Sequence, residues 1–202
     1  MKDKTGGALD TGWAVWITGL PGAGKSTVAS AVVAGLARRG FAAVHLSMDA
    51  RRKTYMPTPD YSPDERNRAY AMFVDEAAFL TRGGKGVVMD ATAPLLAMRR
   101  RARALIPRFA EIHLRCPVTE AMRREAARPE GLVMAGLYEK ALRRKAEGVA
   151  TPGLGAVPGV DVPFEEDEDA ELTIDVGDIG PQETISRASA FVFLWLMDSY
   201  GA

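Results

Sequence analysis

The sequence predicts an α/β domain in which a parallel sheet carries helices on both faces, the doubly wound arrangement. Short apolar runs rich in valine and isoleucine alternate along the chain with longer segments of helical periodicity. The first of these runs leads directly into a glycine-rich loop and then a helix, the order expected of a parallel β-α-β unit. We expect one such domain over residues 13–202, preceded by a polar tail at residues 1–12.

The glycine-rich loop is the most informative motif in the chain. It matches G-x-x-x-x-G-K-[ST], the phosphate-binding loop, and lies between an apolar run at 13–18 and a helix predicted at 27–39. Glycines let backbone N–H groups surround phosphate oxygens, and Lys25 can reach the β- and γ-phosphates of ATP. The Ser26 hydroxyl can bind Mg²⁺, so the predicted fold class is that of the P-loop NTPases. The residues predicted to bind the nucleotide are Gly19, Leu20, Pro21, Gly22, Ala23, Gly24, Lys25, Ser26 and Thr27.

An acidic residue follows or ends each of the next two predicted strands. Residues 41–46 predict the second strand, with Asp49 just beyond it, and residues 86–90 predict the third, which ends at Asp90. Ligands of open α/β sheets bind at the carboxyl ends of the strands, so Asp49 is a candidate catalytic residue and Asp90 a candidate Mg²⁺-organising acid. Two alternatives stay open: Asp49 as the N-cap of a helix, and Asp90 as a turn or cap residue before Thr92.

Between these strands the chain predicts an irregular segment and then a long helix. Residues 51–60 contain two prolines, which disfavour regular structure. Ser62 and Glu65 then form a capping box that starts a helix running to about residue 81. Tyr70 and Phe73 have the helical spacing of core residues on that helix.

The second half of the chain completes the sheet and supplies a lid. Four arginines on a helix at 94–105 are interpreted as a solvated face, and residues 110–115 predict the fourth strand. A basic segment at about 119–160 is where a mobile lid would close over the phosphates of ATP. A fifth strand at 171–175 and a helix at 181–200 end the domain. The apolar face of that helix can cover the sheet or form a contact between two copies, so a homodimer stays open.

Composition narrows the range of partners. The chain has 26 basic and 26 acidic residues, which argues against nucleic acid as the main partner. Its single cysteine, Cys116, excludes an internal disulfide and fits a reducing compartment. The most apolar late run, at 188–197, is too short to span a bilayer. We therefore expect a cytoplasmic protein whose partner is a small molecule rather than a nucleic acid or a membrane.

The motifs, taken in this order, resemble those of the adenylylsulfate (APS) kinase family. These enzymes transfer the γ-phosphate of ATP to the 3′-hydroxyl of adenosine 5′-phosphosulfate (APS). Besides the phosphate-binding loop, the resemblance is carried by residues 136–141 and 158–165. These two stretches are similar to the family's Gly-Leu-Tyr-Lys-Lys-Ala and Gly-Ile-Asp-x-Pro-Tyr-Glu segments, and the whole resemblance runs from about residue 13 to 175.

The resemblance implies roles for individual residues. Asp49 and Arg52 match the second acid and the arginine of the family's Asp-Gly-Asp-Asn-x-Arg motif. Tyr61 stands where the family has an aromatic residue that stacks on the substrate adenine, and Arg124 matches a lid arginine near ATP. The residues that the resemblance assigns to the acceptor are Arg52, Tyr61, Asn67 and Lys140.

The chain departs from the family pattern mainly in the acceptor half. Ser47 and Met48 replace the first acid and the glycine of that motif, and residues 90–94 replace the family's Ile-Ser-Pro-Tyr stretch. Three hypotheses follow. The first is an APS kinase that uses ATP and Mg²⁺. The second is a kinase of the same class that acts on the hydroxyl of a sugar, sugar acid, nucleoside or antibiotic. The third is a nucleotide-binding regulatory protein.

Overall fold

The computed structural model describes residues 12–127, 136–148 and 151–198. These residues contain five strands and seven helices. The strands are β1 (Trp13–Thr18), β2 (Ala43–Ser47), β3 (Gly86–Asp90), β4 (Phe109–Arg115) and β5 (Leu172–Asp175). The helices are α1 (Lys25–Ala37), α2 (Met48–Tyr55), α3 (Pro63–Arg82), α4 (Leu96–Leu105), α5 (Val118–Ala126), α6 (Leu137–Glu147) and α7 (Pro181–Asp198).

The strands form one parallel sheet in the order β2-β3-β1-β4-β5. Alternate residues of the central strand β1 face opposite sides, as the period of a strand requires. Val15 and Ile17 pack against α1 and α7, whereas Trp16 packs on the other face against Phe73 of α3. Each face therefore has its own apolar core, and the doubly wound α/β fold is confirmed.

Helix α2 corrects one prediction. The irregular segment expected at residues 51–60 is helical as far as Tyr55, because the prolines that suggested irregular structure, Pro57 and Pro59, come after the helix has ended. Ser47 is the N-cap of α2, and Asp49 lies in its first turn. A carboxylate in the first turn is favourable to the helix dipole, but the interpretation of Asp49 as the N-cap is wrong.

The prediction that all four arginines of α4 face solvent is wrong for one of them. Arg100 and Arg101 are exposed, but Arg99 is completely buried between α4 and the sheet. The helix also begins at Leu96 rather than at Pro94, since Ala93 has a left-handed backbone (φ +46°) and Leu95 is extended. In the interior, Arg99 Nε lies 3.0 Å from Glu111 Oε1 of β4, a partner that no local pattern in the helix could indicate.

Helix α7 covers the sheet, which is one of the two roles predicted for it. Ala188, Val192 and Leu196 are fully buried in the core that α1 also joins. Over residues 12–127, 136–148 and 151–198, no helix is both long enough and apolar enough to cross a membrane. The predicted tail up to residue 11, residues 128–135 and 149–150 of the predicted lid, and the predicted helix end at 199–200 lie outside the described residues.

Candidate active site

The phosphate-binding loop connects β1 to α1. Gly24, with φ +97°, is the N-cap of α1, so Lys25 and Ser26 fall in the first helical turn, two residues earlier than predicted. Gly22 also has positive φ (+89°), and a Cβ on it would overlap the carbonyl oxygen of Ala121 in α5. Only glycine permits this approach of α5 to the loop. The Nζ of Lys25 donates a hydrogen bond to the carbonyl of Leu20 (2.9 Å), which holds the ammonium group against the loop.

A cavity of about 710 Å³ opens beside this loop at the carboxyl ends of β2 and β3. Its walls come from the phosphate-binding loop, the end of β3, helices α2, α3 and α6, and residues 151–158. The structure therefore brings together residues from distant parts of the sequence, as the topology of an open α/β sheet predicts. The predicted site residues that line the cavity are Pro21, Lys25, Ser26, Asp49, Arg52, Tyr61, Asp90 and Lys140.

Asp90 is a buried carboxylate facing this cavity. It is the last residue of β3 and is only 4% exposed, and it does not cap α4, whose N-cap is Leu95. Its Oδ2 has no hydrogen-bond partner among the described residues, although His45 Nε2 lies 3.6 Å away. An unsatisfied buried carboxylate oxygen is costly unless a ligand supplies the missing partner.

The residues at this end of the cavity fit a Mg²⁺ ion. The orphaned oxygen of Asp90 and the hydroxyl of Ser26 line the same cavity as Lys25. Within the described ranges, no group of three or more His, Cys, Asp or Glu side chains could hold a metal alone. That combination suits Mg²⁺, which usually keeps several waters and is bound by one or two protein oxygens together with substrate phosphates.

The far end of the cavity combines an aromatic ring with two guanidinium groups. Tyr61 has a left-handed backbone (φ +58°), and Glu65 Oε2 accepts a hydrogen bond from its N–H at 3.3 Å. Glu65 also pairs with Arg52 (3.6 Å), and Arg66 donates to the carbonyl of Ala156. Strained backbone that persists at a cavity wall is typical of functional sites.

Arg66 is a cavity residue that the sequence analysis missed. Asn67, chosen instead, is exposed on α3 and is not among the residues that line the cavity. The sequence did contain a signal for Arg66. It lies on the same helical stripe as Tyr70 and Phe73, at spacings of four and seven residues, and that stripe faces the sheet and the cavity.

The charges at this end favour an anionic ligand. Burial lowers the pKa of the Arg66 guanidinium below its usual range, and the nearby positive charge of Arg52 lowers it further. Lys53 and Lys140 also line the cavity. A ligand with negative charge would relieve the repulsion between the two guanidinium groups, so this end of the cavity suits a phosphate or sulfate group.

Arg124, the predicted lid arginine, is not among the residues that line this cavity. It donates to Glu120 Oε1 (2.6 Å) within α5 and to the carbonyl of Val176 (2.6 Å), which follows β5. Hydrogen bonds from Arg123 and Arg124 lower the pKa of the Glu120 carboxyl to about 2. Arg124 therefore ties α5 to the segment after β5 in this structure.

A phosphate-binding loop at the head of a parallel sheet, opening into a cavity with acidic and cationic groups, defines a P-loop kinase of small molecules. The chain can be placed more narrowly. The model of the Adenylylsulphate kinase family matches residues 11–175. This match covers most of the chain, which therefore belongs to the adenylylsulfate kinase family.

Individual relatives agree with this placement. The probable adenylyl-sulfate kinase of Archaeoglobus fulgidus is 33% identical over 161 residues, which are 80% of this chain and 94% of the relative. The Mycobacterium tuberculosis APS kinase, solved with AMPPNP and APS, is 26% identical with a TM-score of 0.73, over 93% of this chain and 98% of that one. A sugar kinase from Janibacter sp. HTCC2649 (17% identical, TM-score 0.61, 89% of this chain and 94% of that one) shares the fold alone.

Proposed function

We propose that this protein transfers the γ-phosphate of ATP to the 3′-hydroxyl of APS. The observation that carries the proposal is the single cavity that joins the phosphate-binding loop to an aromatic ring and a pair of guanidinium groups. An adenosine phosphosulfate offers a ring for stacking and two anionic groups for pairing. The names of the relatives support the same acceptor.

Positioning and electrostatics supply the catalysis in this proposal. The ammonium of Lys25 binds the β- and γ-phosphates and neutralises the charge that develops on them during transfer. Ser26 and Asp90 would hold Mg²⁺. When bound, the ion shields the negative charge of the phosphates.

Asp49 is the proposed group that orients or deprotonates the attacking hydroxyl. It lines the cavity from the first turn of α2, one turn before Arg52. A carboxylate in that place can accept the proton of the hydroxyl as the phosphorus–oxygen bond forms. Replacement of Asp49 by asparagine should therefore lower turnover far more than it lowers the affinity for ATP.

The acceptor is held by the far end of the cavity. Arg52 and Arg66 bind the phosphosulfate group, Tyr61 stacks on the adenine, and Lys140 adds a further positive charge. Asn67, on the exposed side of α3, could contact only a part of the acceptor that projects beyond the cavity. We therefore assign to Arg66 the role that the sequence analysis gave to Asn67.

The remaining expectations are proposals of the same kind. Residues 119–160 act as the lid of a single domain at 13–202, and Arg124 reaches the phosphates when the lid closes, after leaving the Val176 carbonyl. The exposed Leu194 and Met197 of α7 are the surface offered to a second copy in a homodimer. We also propose a cytoplasmic location, which the single cysteine supports.

The deciding experiment measures ADP release from MgATP with and without APS, with the product identified by mass spectrometry. Strong stimulation by APS and a 3′-phosphorylated product are expected. Lys25→Ala is the control and should abolish transfer. If APS gives no stimulation while a sugar, sugar acid or nucleoside does, the acceptor proposed here is wrong and the kinase class stands. If none of these acceptors stimulates ADP release and ATP still binds, the hypothesis of a nucleotide-binding regulatory protein is favoured.

A further inference from the structure

One buried guanidinium connects a segment in the wall of the acceptor cavity to a segment that follows another part of that wall. Arg99 of α4 is 0% exposed. It donates to the carbonyl of Ala93, in the segment between β3 and α4, and to the carbonyl of Glu165, in the segment that leads to β5. These two segments are far apart in sequence, and Arg99 is the side chain that binds the backbone of both.

The guanidinium is itself fixed to the sheet. Its Nε lies 3.0 Å from Glu111 Oε1 of β4, and the same oxygen accepts a hydrogen bond from Thr18 Oγ1 of β1 (2.8 Å). The ring of Phe164 lies 4.9 Å from the guanidinium carbon and stacks on His113, also at 4.9 Å. The central strands β1 and β4 therefore determine where Arg99 can hold the two carbonyls.

Direct contacts between the two segments complete the connection. Glu165 N–H donates to the carbonyl of Pro94 (2.9 Å), and Leu96 N–H donates to Glu165 Oε2 (2.6 Å). Ala93 N–H donates to the hydroxyl of Tyr70 (2.9 Å), which keeps Ala93 in its left-handed conformation. Both polar groups of the Ala93 backbone are thus held by side chains from outside its own segment.

One of the connected segments lines the cavity, and the other follows directly after a stretch that does. Ala91, Thr92 and Pro94 line it after β3, and residues 151–158 line it just before the turn that leads to Phe164 and Glu165. We infer that Arg99 is a positioning residue that sets the shape of the acceptor end of the cavity without touching the acceptor. The inference rests on the proposed function only for the identity of the acceptor.

A residue that only stabilised the fold would not need a buried guanidinium bonded to two segments. A buried ion pair is often no more stabilising than apolar side chains of the same volume. What an apolar side chain could not do is donate to the two backbone carbonyls, and the carbonyl of the fully buried Ala93 would lose this donor. Loss of Arg99 should therefore loosen residues 91–96 and 163–166 and leave the phosphate-binding loop unchanged, since Arg99 contacts no residue of that loop among the bonds described for it.

The test uses Arg99→Lys, which keeps the positive charge beside Glu111 but loses the planar fork that reaches both carbonyls. Phe164→Leu, which removes the ring above the guanidinium, is the second variant. Arg101→Gln is the matched control, because Arg101 is on the same helix and pairs with Asp75 at the surface. The full chain is used throughout, and two readouts are taken: amide hydrogen exchange, and KM for APS and ATP separately.

For Arg99→Lys we expect at least tenfold faster exchange at the amides of Ala93, Leu96 and Glu165, and at least a tenfold rise in KM for APS. KM for ATP should stay within twofold, and Phe164→Leu should show the same pattern with smaller changes. Unchanged exchange at those amides would overturn the inference, as would equal increases in both KM values. If Arg99→Lys does not fold, Phe164→Leu decides by the same criteria. If the unmodified protein does not use APS, the proposed function fails. The role of Arg99 is then decided by amide hydrogen exchange together with the affinity for ADP, which should not change in the Arg99→Lys variant.

Discussion

Glu111 predicts an unusual dependence of stability on pH. Its side chain is 1% exposed on β4, and burial raises the pKa of the carboxyl from 4.5 to about 7. Arg99 and the hydrogen bond from Thr18 act in the opposite direction but do not offset the loss of hydration. Two further charges act on Glu111, since Asp167 raises the pKa and Arg103 lowers it.

The sign and size of the effect follow from these values. Because the pKa is higher in the folded chain than in the unfolded chain, the folded state holds the proton more tightly. The resulting stabilisation is complete below pH 4.5 and is lost as pH rises through 7. At about 1.4 kcal/mol per pKa unit, the free energy of unfolding should fall by about 2.5 kcal/mol between pH 5 and 8 on account of Glu111 alone.

Glu111→Gln removes the ionisation and isolates this contribution. The variant lacks this titration, so relative to the unmodified protein its free energy of unfolding should rise by about 2.5 kcal/mol between pH 5 and 8. Urea unfolding at pH 5, 6, 7 and 8 measures both proteins. Glu120→Gln is the control, since Glu120 has a pKa of about 2 and should not titrate in this range. Parallel curves for Glu111→Gln and the unmodified protein would refute the reasoning, and a relative free energy of unfolding that falls as pH rises would mean that the ion pair with Arg99 dominates.

Three further predictions concern the cavity. Tyr138→Phe removes the hydrogen bond that the hydroxyl donates to the carbonyl of Pro21 (3.0 Å), so steady-state kinetics should show KM for ATP rising about fivefold, with KM for APS unchanged. Asp90→Ser should lower kcat about a hundredfold. Adding Ser47→Asp should restore part of it, because the two positions are register partners on adjacent strands, about 5 Å apart; no restoration would argue against a shared role. Arg66→Met should raise KM for APS at least tenfold in the same assay, and an unchanged value would remove Arg66 from the acceptor site.

The parts of the fold that local patterns encode were predictable. The phosphate-binding loop, the apolar strands and the acid at the end of β3 are all properties of consecutive residues, and each strand was placed within two residues of its observed bounds. The side chains that were missed are those whose place depends on another element. Arg66 and Arg99 look like surface cations in the sequence, because only the packing of each helix against the sheet determines which of its faces is buried.

The bounds of α2 and the start of α4 were predicted wrongly for a related reason. The prolines after Tyr55 suggested an irregular segment, but they only mark where α2 has already ended. Pro94 suggested a helix start, but Arg99 and Tyr70 hold Ala93 in a conformation that no L-residue prefers, so α4 begins two residues later. At the start of α4, a tertiary contact therefore decides between alternative local conformations.

The contact between Gly22 and Ala121 constrains how this sequence can diverge. A saturation library at position 22 should return only glycine, because any Cβ there would displace α5 from the loop. Deletions and insertions between Arg115 and Ala121 should be rejected as well, since they would rotate a different residue of α5 toward Gly22. Changes in chain length within the lid can therefore accumulate only beyond this contact, and comparisons among homologues should find their length variation there.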